Sequence, residues 1–532
     1  MMGWRRLAGA TSLLLGVSAW AVGAAAGEAP PHSLLSNGGF ETDAKSSGWP
    51  DGWPHPAGAH WETKGDGHFL RLRPDAPGKM LVLYRALAVP ANVRALELTF
   101  RVRHTDIQPG PDSWHDARII MHFKDAAGRE RVPAPAAMAF RGSSKGWKEC
   151  RARFLVPRKS IRLEFMPALF KVAKGTLDLD DIALTPIEPE LVKQRAATAS
   201  TRIGFEGPAV DAAKLPKQLR VVGNRLQTPE GKEMWLQGLN IPSMEWTAVG
   251  EHVLESVAVA TDGWKANVLR LPVKDNFWFG VGPWQKDGGK GYRLLMDKVV
   301  QAAASRGVYV VIDLHRFGAP TDDSVDFWRE AAARYKNHPA VLFDLLNEPH
   351  DISWDVWRNG GTVEDAKRKT AYESPGMQAL VDAVRGAGAR NVVIAGGLGW
   401  AYDLSGVAEG HALEERGGNG IMYSTHIYNW HRGWEKNVLG AATKYPILVG
   451  EVGCDAKPMS FIPREQQEDP FTWAPDMLGF IQKHRLNWTG WCFHPKSSPR
   501  ILLDWDYTPT PFWGEFVKAA LGGKSYALRR AR

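Results

Sequence analysis

The sequence predicts an α/β protein, a (β/α)8 barrel preceded by an antiparallel β-sandwich, and three observations carry that expectation. Residues 34–186 hold short apolar runs between Gly, Pro and Asp turns, with no helical spacing. Residues 218–523 alternate eight short apolar runs with amphipathic segments. Between them, residues 188–217, with their Ala, Thr, Lys and Pro, read as a connector.

A chain of 532 residues holds two to four domains at ~150 residues each. Its 44% hydrophobic and 23% charged residues exclude a disordered chain, a collagen-like fibre and a multi-spanning membrane protein. Lys and Arg number 66 against 58 Asp and Glu, with no basic run among them, so no nucleic-acid partner is expected. The 23 Trp outnumber the 20 Phe and 11 Tyr, and flat apolar rings suit stacking on sugars as well as packing, which adds weight to a carbohydrate ligand.

Taken in order, residues 1–26 show Arg5 and Arg6, an apolar run at 7–22, and then Gly23, Ala24, Ala25 and Ala26. That is the order of a signal peptide cleaved near Ala26, which predicts a secreted or periplasmic protein with no membrane association after cleavage. An uncleaved anchor is the competing reading, for which the run is short. In the module that follows, at residues 33–187, strands are expected at 69–72, 81–84, 96–102, 119–123, 161–165 and 177–184. In the barrel, strands are expected at 234–239, 266–271, 308–314, 341–346, 391–395, 421–425, 446–449 and 486–493, with helices at 292–305, 325–336 and 376–387. An open doubly wound sheet is the structural competitor. Gly396, Gly397 and Gly399 lack dinucleotide spacing and read as a loop. Cys150, Cys454 and Cys492 fit no zinc motif, and Cys454 with Cys492 is either a pair or two buried thiols.

Barrels gather chemistry where their strands end, so the residues that terminate each run are informative. The second run ends with Arg270, the third with His315, the fourth with Asn347 and Glu348, the sixth with His426 and Tyr428, the seventh with Glu451, and the eighth carries Trp491. Two carboxylates facing each other across a barrel mouth are what glycosidic cleavage needs, one to protonate the leaving oxygen and one to attack or activate water. Glu348 and Glu451 are that pair.

These residues resemble glycoside hydrolase family 5. The resemblance covers about 219–521 and rests on Arg270, His315 after Ile312-Asp313-Leu314, Leu346-Asn347-Glu348-Pro349, His426-Ile427-Tyr428, Gly450-Glu451 and Trp491. It implies a retaining mechanism by double displacement with no catalytic cofactor or metal. It makes Glu348 the acid/base, Glu451 the nucleophile kept ionised by Arg270 and Tyr428, and Asn347 the holder of the sugar 2-hydroxyl. His315 and His426 would position hydroxyls and carboxylates, and Trp491 would form the floor. It predicts carboxyl groups ~5–5.5 Å apart. Among loop aromatics that also include Phe277, Trp284, Trp354, Trp357, Trp430, Trp434 and Trp505, further sugar platforms are expected first at Trp246, Trp278 and Trp400. The implied activity is an endo-β-1,4-glucanase on polysaccharide or oligosaccharide. Alternatives are an endo-β-1,4-mannanase, an exo-acting β-glucosidase or β-1,3-glucanase, and a non-catalytic glycan-binding protein.

Asn37-Gly38-Gly39-Phe40-Glu41, Gly146-Trp147 and the segment 175–182 resemble jelly-roll carbohydrate-binding modules. That resemblance implies a structural calcium with Glu41 and Asp181 as candidate ligands, against the plainer reading of two turn acids. Glycan binding there depends on whether Trp49, Trp53, Trp61, Tyr84 and Trp114 face outward.

Overall fold

The computed structural model describes residues 33–65, 67–110, 115–192, 211, 213–281 and 285–532. The expected signal, most of the connector, Trp114 and Trp284 lie outside them. Two antiparallel sheets form the N-terminal part, with strands numbered in chain order. One has the order β1 (Ala59–Lys64), β2 (Gly67–Leu72), β11 (Lys174–Pro186), β5 (Ala95–Gln108), β9 (Lys148–Leu155). The other runs β7 (Glu130–Arg131), β6 (Ala117–Lys124), β10 (Arg162–Leu169), β3 (Leu81–Val82), with β8 (Met138–Phe140) on β6 and β4 (Arg85–Ala88) on β10. Period-two alternation builds the core: Leu96, Leu98, Phe100 and Val102 of β5 meet Ile119, Met121 and Phe123 of β6, while the intervening residues face outward.

Trp49 and Trp53 are buried in this core, whereas Tyr84 is exposed and its hydroxyl donates to Glu164. The two candidate calcium ligands have protein partners: Glu41 accepts from the backbone and ring of His68, and Asp181 accepts from Arg101.

A short meander, β12 (Arg220–Val222), β13 (Arg225–Gln227) and β14 (Glu233–Met234), leads into the barrel. Eight parallel strands close it: β15 (Gln237–Asn240), β16 (Val268–Val273), β17 (Tyr309–Leu314), β18 (Val341–Asp344), β21 (Val393–Gly396), β22 (Ile421–Tyr428), β23 (Ile447–Gly453) and β24 (Asn487–Gly490). Each of the eight expected runs overlaps one of them. Their residues are buried on both faces, as helices outside and side chains inside require. The three expected helices are Lys290–Ala304, Asp322–Tyr335 and Gly376–Gly386. Thr321 and Ser324 cap the second reciprocally, which fixes where the chain turns back from the barrel mouth.

Inside the barrel, the lower inward positions are apolar. Val268, Tyr309, Val311, Leu342, Ile394, Met422 and Leu448 pack together, and Leu219, Leu226 and Leu236 close the bottom. Further along the same strands the inward positions turn polar: Asn240, Arg270, Asp313, Asp344, Ser424 and Thr489. The apolar plug supports this polar layer, and the polar layer supports the site.

Sequence reasoning did not foresee β19 (Gly361–Asp365) and β20 (Thr370–Ser374), a hairpin thrown out by the barrel after β18. It joins the second sandwich sheet, with β20 parallel to β7. Cys150, Cys454 and Cys492 are free thiols; Cys454 and Cys492 aim Sγ at the carbonyls of Phe512 and Ser497. Among the described residues, no helix is long and apolar enough to cross a membrane.

Candidate active site

Arg270 organises the site. Because β16 continues to Val273, this residue lies within the strand and not at its end, with no exposed surface. Its Nε donates to Asp344 (2.9 Å), Nη1 to Glu451 (2.9 Å) and Asn240 (3.1 Å), and Nη2 to Asn347 (2.8 Å), with Asp313 3.1 Å away. Sealed beneath the carboxylates, Arg270 is a positioning residue for Glu451 and not a substrate contact, and it joins side chains from four other strands. Burial opposes its charge, but Asp313, Asp344 and Glu451 outweigh that and hold the guanidinium firmly cationic. One cation among so many acids leaves a surplus of negative charge. Burial pushes Asp313 and Asp344 each up to about 7, against the pull of Arg270.

Glu451 reaches this layer through an irregularity. Along β22 and β23, Thr425 pairs with Val449 but His426 pairs with Glu451, so Gly450 is an extra residue. Leu448 faces inward and Val452 packs outward against the helices. Strict alternation from Leu448 would turn Glu451 outward and Val452 inward, and the bulge reverses both, aiming Glu451 into the mouth. Gly450 has to be glycine here: a Cβ would lie 2.4 Å from Ser424 Oγ and 3.2 Å from His426 Nε2.

Glu451 keeps 3% of its side chain exposed and Glu348 keeps 13%, so the latter has the better access to an incoming group. His426 stands between them, Nδ1 3.0 Å from Glu348 Oε1 and 3.6 Å from Glu451 Oε2. One ligating atom from each of the three can be chosen so that all lie within 4.8 Å of one another. The closest approach of the two carboxylates is therefore no more than 4.8 Å, which is compatible with the ~5–5.5 Å carboxyl separation of a covalent double displacement.

The two acids differ as their roles require. Burial raises Glu348 well above the carboxylate range, and repulsion from Glu451 adds to it. Burial also lifts Glu451, to about 7, while Arg270 and the Tyr428 hydroxyl, which donates to Oε2, hold it down. Glu451 is thus the more acidic of the two, though less so than the presence of Arg270 alone led us to expect. Burial keeps His426 neutral, its pKa lowered well below the ordinary value, and lifts the Tyr428 hydroxyl well above its own, so that it stays a donor.

Asn347 spends Oδ1 on Arg270, leaving Nδ2 buried with no partner. An unpaired buried amide is costly unless a ligand completes it. His315, 3% exposed, takes Asp313 at Nδ1 (2.6 Å) and stacks parallel to Trp491 at 5.7 Å; burial lowers its pKa to about 3. Trp491 lies one residue past β24, beside Tyr428 and Trp430.

The three aromatic platforms divide. Trp246 and Trp400 are 42% and 49% exposed at the mouth. Trp278 is not a platform: it is 1% exposed, packed on Phe327 under the helices, and its Nε1 donates to Glu330. The short helix Asp275–Trp278 turns it away from the mouth. Trp357 and Trp434 are likewise buried.

Residues to which sequence reasoning gave no role are Asn240, Asp313, Asp344, Ser424, Glu245 and Lys274. Glu245 Oε2 lies 3.6 Å from His315 Nε2 and its Oε1 3.5 Å from Lys274 Nζ. A signal for the first three was present: each is a polar residue interrupting a run of apolar ones at the inward phase of its strand. Phe317, 44% exposed beside Trp400, was also missed.

A closed parallel barrel whose open end joins two carboxylic acids through a neutral histidine defines a class, the barrel proteins with a paired-acid centre. This chain belongs to the cellulase family, glycosyl hydrolase family 5, which matches residues 228–497, just over half of it. It is 24% identical over 329 residues to an endoglucanase of Clostridium saccharobutylicum, covering 58% of this chain and 66% of that one. It is 26% identical over 292 residues to endoglucanase E-5 of Thermobifida fusca, covering 52% and 55%. The chain thus spans about half to two thirds of the length of these relatives. A β-glucanase structure from Saccharophagus degradans aligns with a TM-score of 0.49 at 24% identity, over 60% of this chain and 98% of that one.

Proposed function

We propose that the protein is a secreted, endo-acting, retaining β-1,4-glucanase. The observation that carries this is the spacing of Glu348 and Glu451 on either side of His426, within 4.8 Å, beside the unpaired Nδ2 of Asn347. Glu348, held protonated by burial, gives its proton to the glycosidic oxygen as a Glu451 oxygen attacks the anomeric carbon, and a glycosyl ester forms. Arg270 and Tyr428 stabilise the carboxylate without moving. Glu348, now a carboxylate, takes a proton from the incoming water, which attacks the same carbon and releases Glu451. Nδ2 of Asn347 binds the 2-hydroxyl, a contact that strengthens as positive charge develops on the ring. The export signal at residues 1–26 belongs to the same reading, since a glucan polymer is met outside the cell membrane.

The test is reducing-sugar release from a soluble cellulose derivative, galactomannan, laminarin and xylan in parallel, with Glu451→Gln as the blank. Release mainly from the cellulose derivative, with a rapid fall in viscosity and loss in the variant, is expected. Preference for galactomannan would keep the mechanism and change the substrate. Full activity of Glu451→Gln would overturn the mechanism.

A further inference from the structure

The hairpin β19–β20 leaves the barrel and ends as part of the sandwich. Glu130 N–H donates to Lys369 O (3.0 Å) and Val132 N–H to Ala371 O (3.1 Å), a parallel pairing that continues the second sheet into the barrel's own chain. Charge locks the joint. Arg131, with no exposed surface, donates from Nη2 to Glu373 (3.1 Å) and from Nε to the Arg158 carbonyl (3.2 Å). Lys159 Nζ lies 3.2 Å from Glu373 and donates to Thr362 Oγ1 (3.0 Å), while Arg129 pairs with Glu364. Sandwich cations thus face hairpin carboxylates. A buried guanidinium is tolerable only when paired, and docking adds Glu373 to the sandwich's own Asp125, 3.7 Å from Nη1 of Arg131.

The other side of the hairpin reaches the cleft. Tyr372 Oη donates to the Ala319 carbonyl (3.1 Å), two residues past Phe317. Phe317 forms an isolated β-bridge with Glu348, and Gly318 N–H donates to the Glu348 carbonyl (3.0 Å), so this loop is aligned on the acid itself. The Phe317 ring sits 6.1 Å from that of Trp400, and both are exposed. Because Glu348 protonates the leaving oxygen, the aromatics flanking it stand at the leaving-group end of the cleft.

We propose that the sandwich is a positioning element for that end, acting through Arg131–Glu373 and Tyr372–Ala319 to hold Phe317 beside Trp400 as a platform for the departing glucan. This rests on the glucanase reading above. Arg131 and Tyr372 touch no substrate; they set where Phe317 stands. The sandwich thereby belongs to the substrate-binding unit even where none of its own side chains meets the chain being cut.

Full-length Tyr372→Phe and Arg131→Met are compared with the unmodified protein on two substrates: cellohexaose, and an aryl β-cellobioside whose leaving group is one small phenol. KM for cellohexaose is expected to rise roughly three- to tenfold, the worth of a lost hydrogen bond. kcat/KM for the aryl cellobioside should stay within about twofold, because one small phenol does not reach a platform built for departing glucose units. Phe317→Ala should raise KM for cellohexaose at least as much, since it removes the platform itself. An unchanged ratio between the substrates overturns the proposal, and so does a parallel loss on both that follows a lowered melting temperature. If Arg131→Met fails to fold, Tyr372→Phe decides alone, since it removes one hydroxyl and keeps the ring. Turnover of neither substrate by the unmodified protein would overturn the glucanase reading, and this inference with it.

Discussion

Replacing Arg270 by lysine keeps the charge and removes the fork. Arginine here makes four hydrogen bonds and one further ion pair, to Asp344, Glu451, Asn240, Asn347 and Asp313. A lysine ammonium offers three donors from a single point, so two of these partners lose theirs. At about 1.5–3 kcal/mol for each charge-assisted bond, the loss is about 3–6 kcal/mol. That is a large part of the ~5–15 kcal/mol a folded domain has in hand. At ~2 °C per kcal/mol for a large domain, the melting temperature should fall by about 6–12 °C. The second effect is on catalysis. Glu451 must be ionised to attack; burial lifts it to about 7, and Arg270 is the strongest influence opposing that lift. Any retreat of the cation raises the Glu451 pKa further, by about one unit for each 1.4 kcal/mol of attraction lost. The acid limb of the kcat/KM profile then moves to higher pH, never lower. Calorimetry and a pH–rate profile on an aryl cellobioside measure both effects. An Arg270→Lys protein with an unmoved acid limb and a melting temperature within about 2 °C of the parent would refute the reasoning.

Asn347→Ala removes the unpaired amide, and kcat should drop about 100-fold, the several kcal/mol that 2-hydroxyl contacts contribute in the transition state, in steady-state kinetics; an unchanged kcat would remove that contact from the mechanism. Gly450→Ala puts a methyl 2.4 Å from Ser424 Oγ, an overpacking of ~1–3 kcal/mol that displaces Ser424 or His426, so activity should fall. Adding Ser424→Ala clears the nearest clash and should restore most of the rate; no recovery in the double variant counts against this steric account. Trp278→Ala should cost ~3–5 kcal/mol in a melting experiment and leave KM unaltered, because the ring is core and not platform. A KM effect without destabilisation would return Trp278 to the cleft.

The barrel was legible in the sequence because strands buried on both faces must be apolar throughout and helices between them must be amphipathic, so the eight runs announced themselves by composition alone. Glu348 and Glu451 were legible for a related reason: a carboxylate that ends an apolar run in a barrel has little else to do than face the mouth. What an individual side chain meets there was not legible. Arg270 read as a strand terminus only because the continuation of β16 through Pro272 and Val273 is invisible to periodicity. Trp278 and Trp400 both follow strands as loop tryptophans, and only the three-dimensional path of each loop sends one under the helices and the other into solvent. The inward aim of Glu451 depends on a one-residue slip between β22 and β23, set by the fit of Ser424 and His426 against Gly450. The hairpin that binds barrel to sandwich needs partners more than 200 residues apart, with Arg129 meeting Glu364 and Arg131 meeting Glu373 across 235 and 242 positions of the chain. Local sequence determined which residues are strands, helices and acids, because those choices depend on neighbours a few positions away. Register, loop path and the pairing of distant charges were decided only by tertiary packing, because their energies reside in contacts that no local window contains.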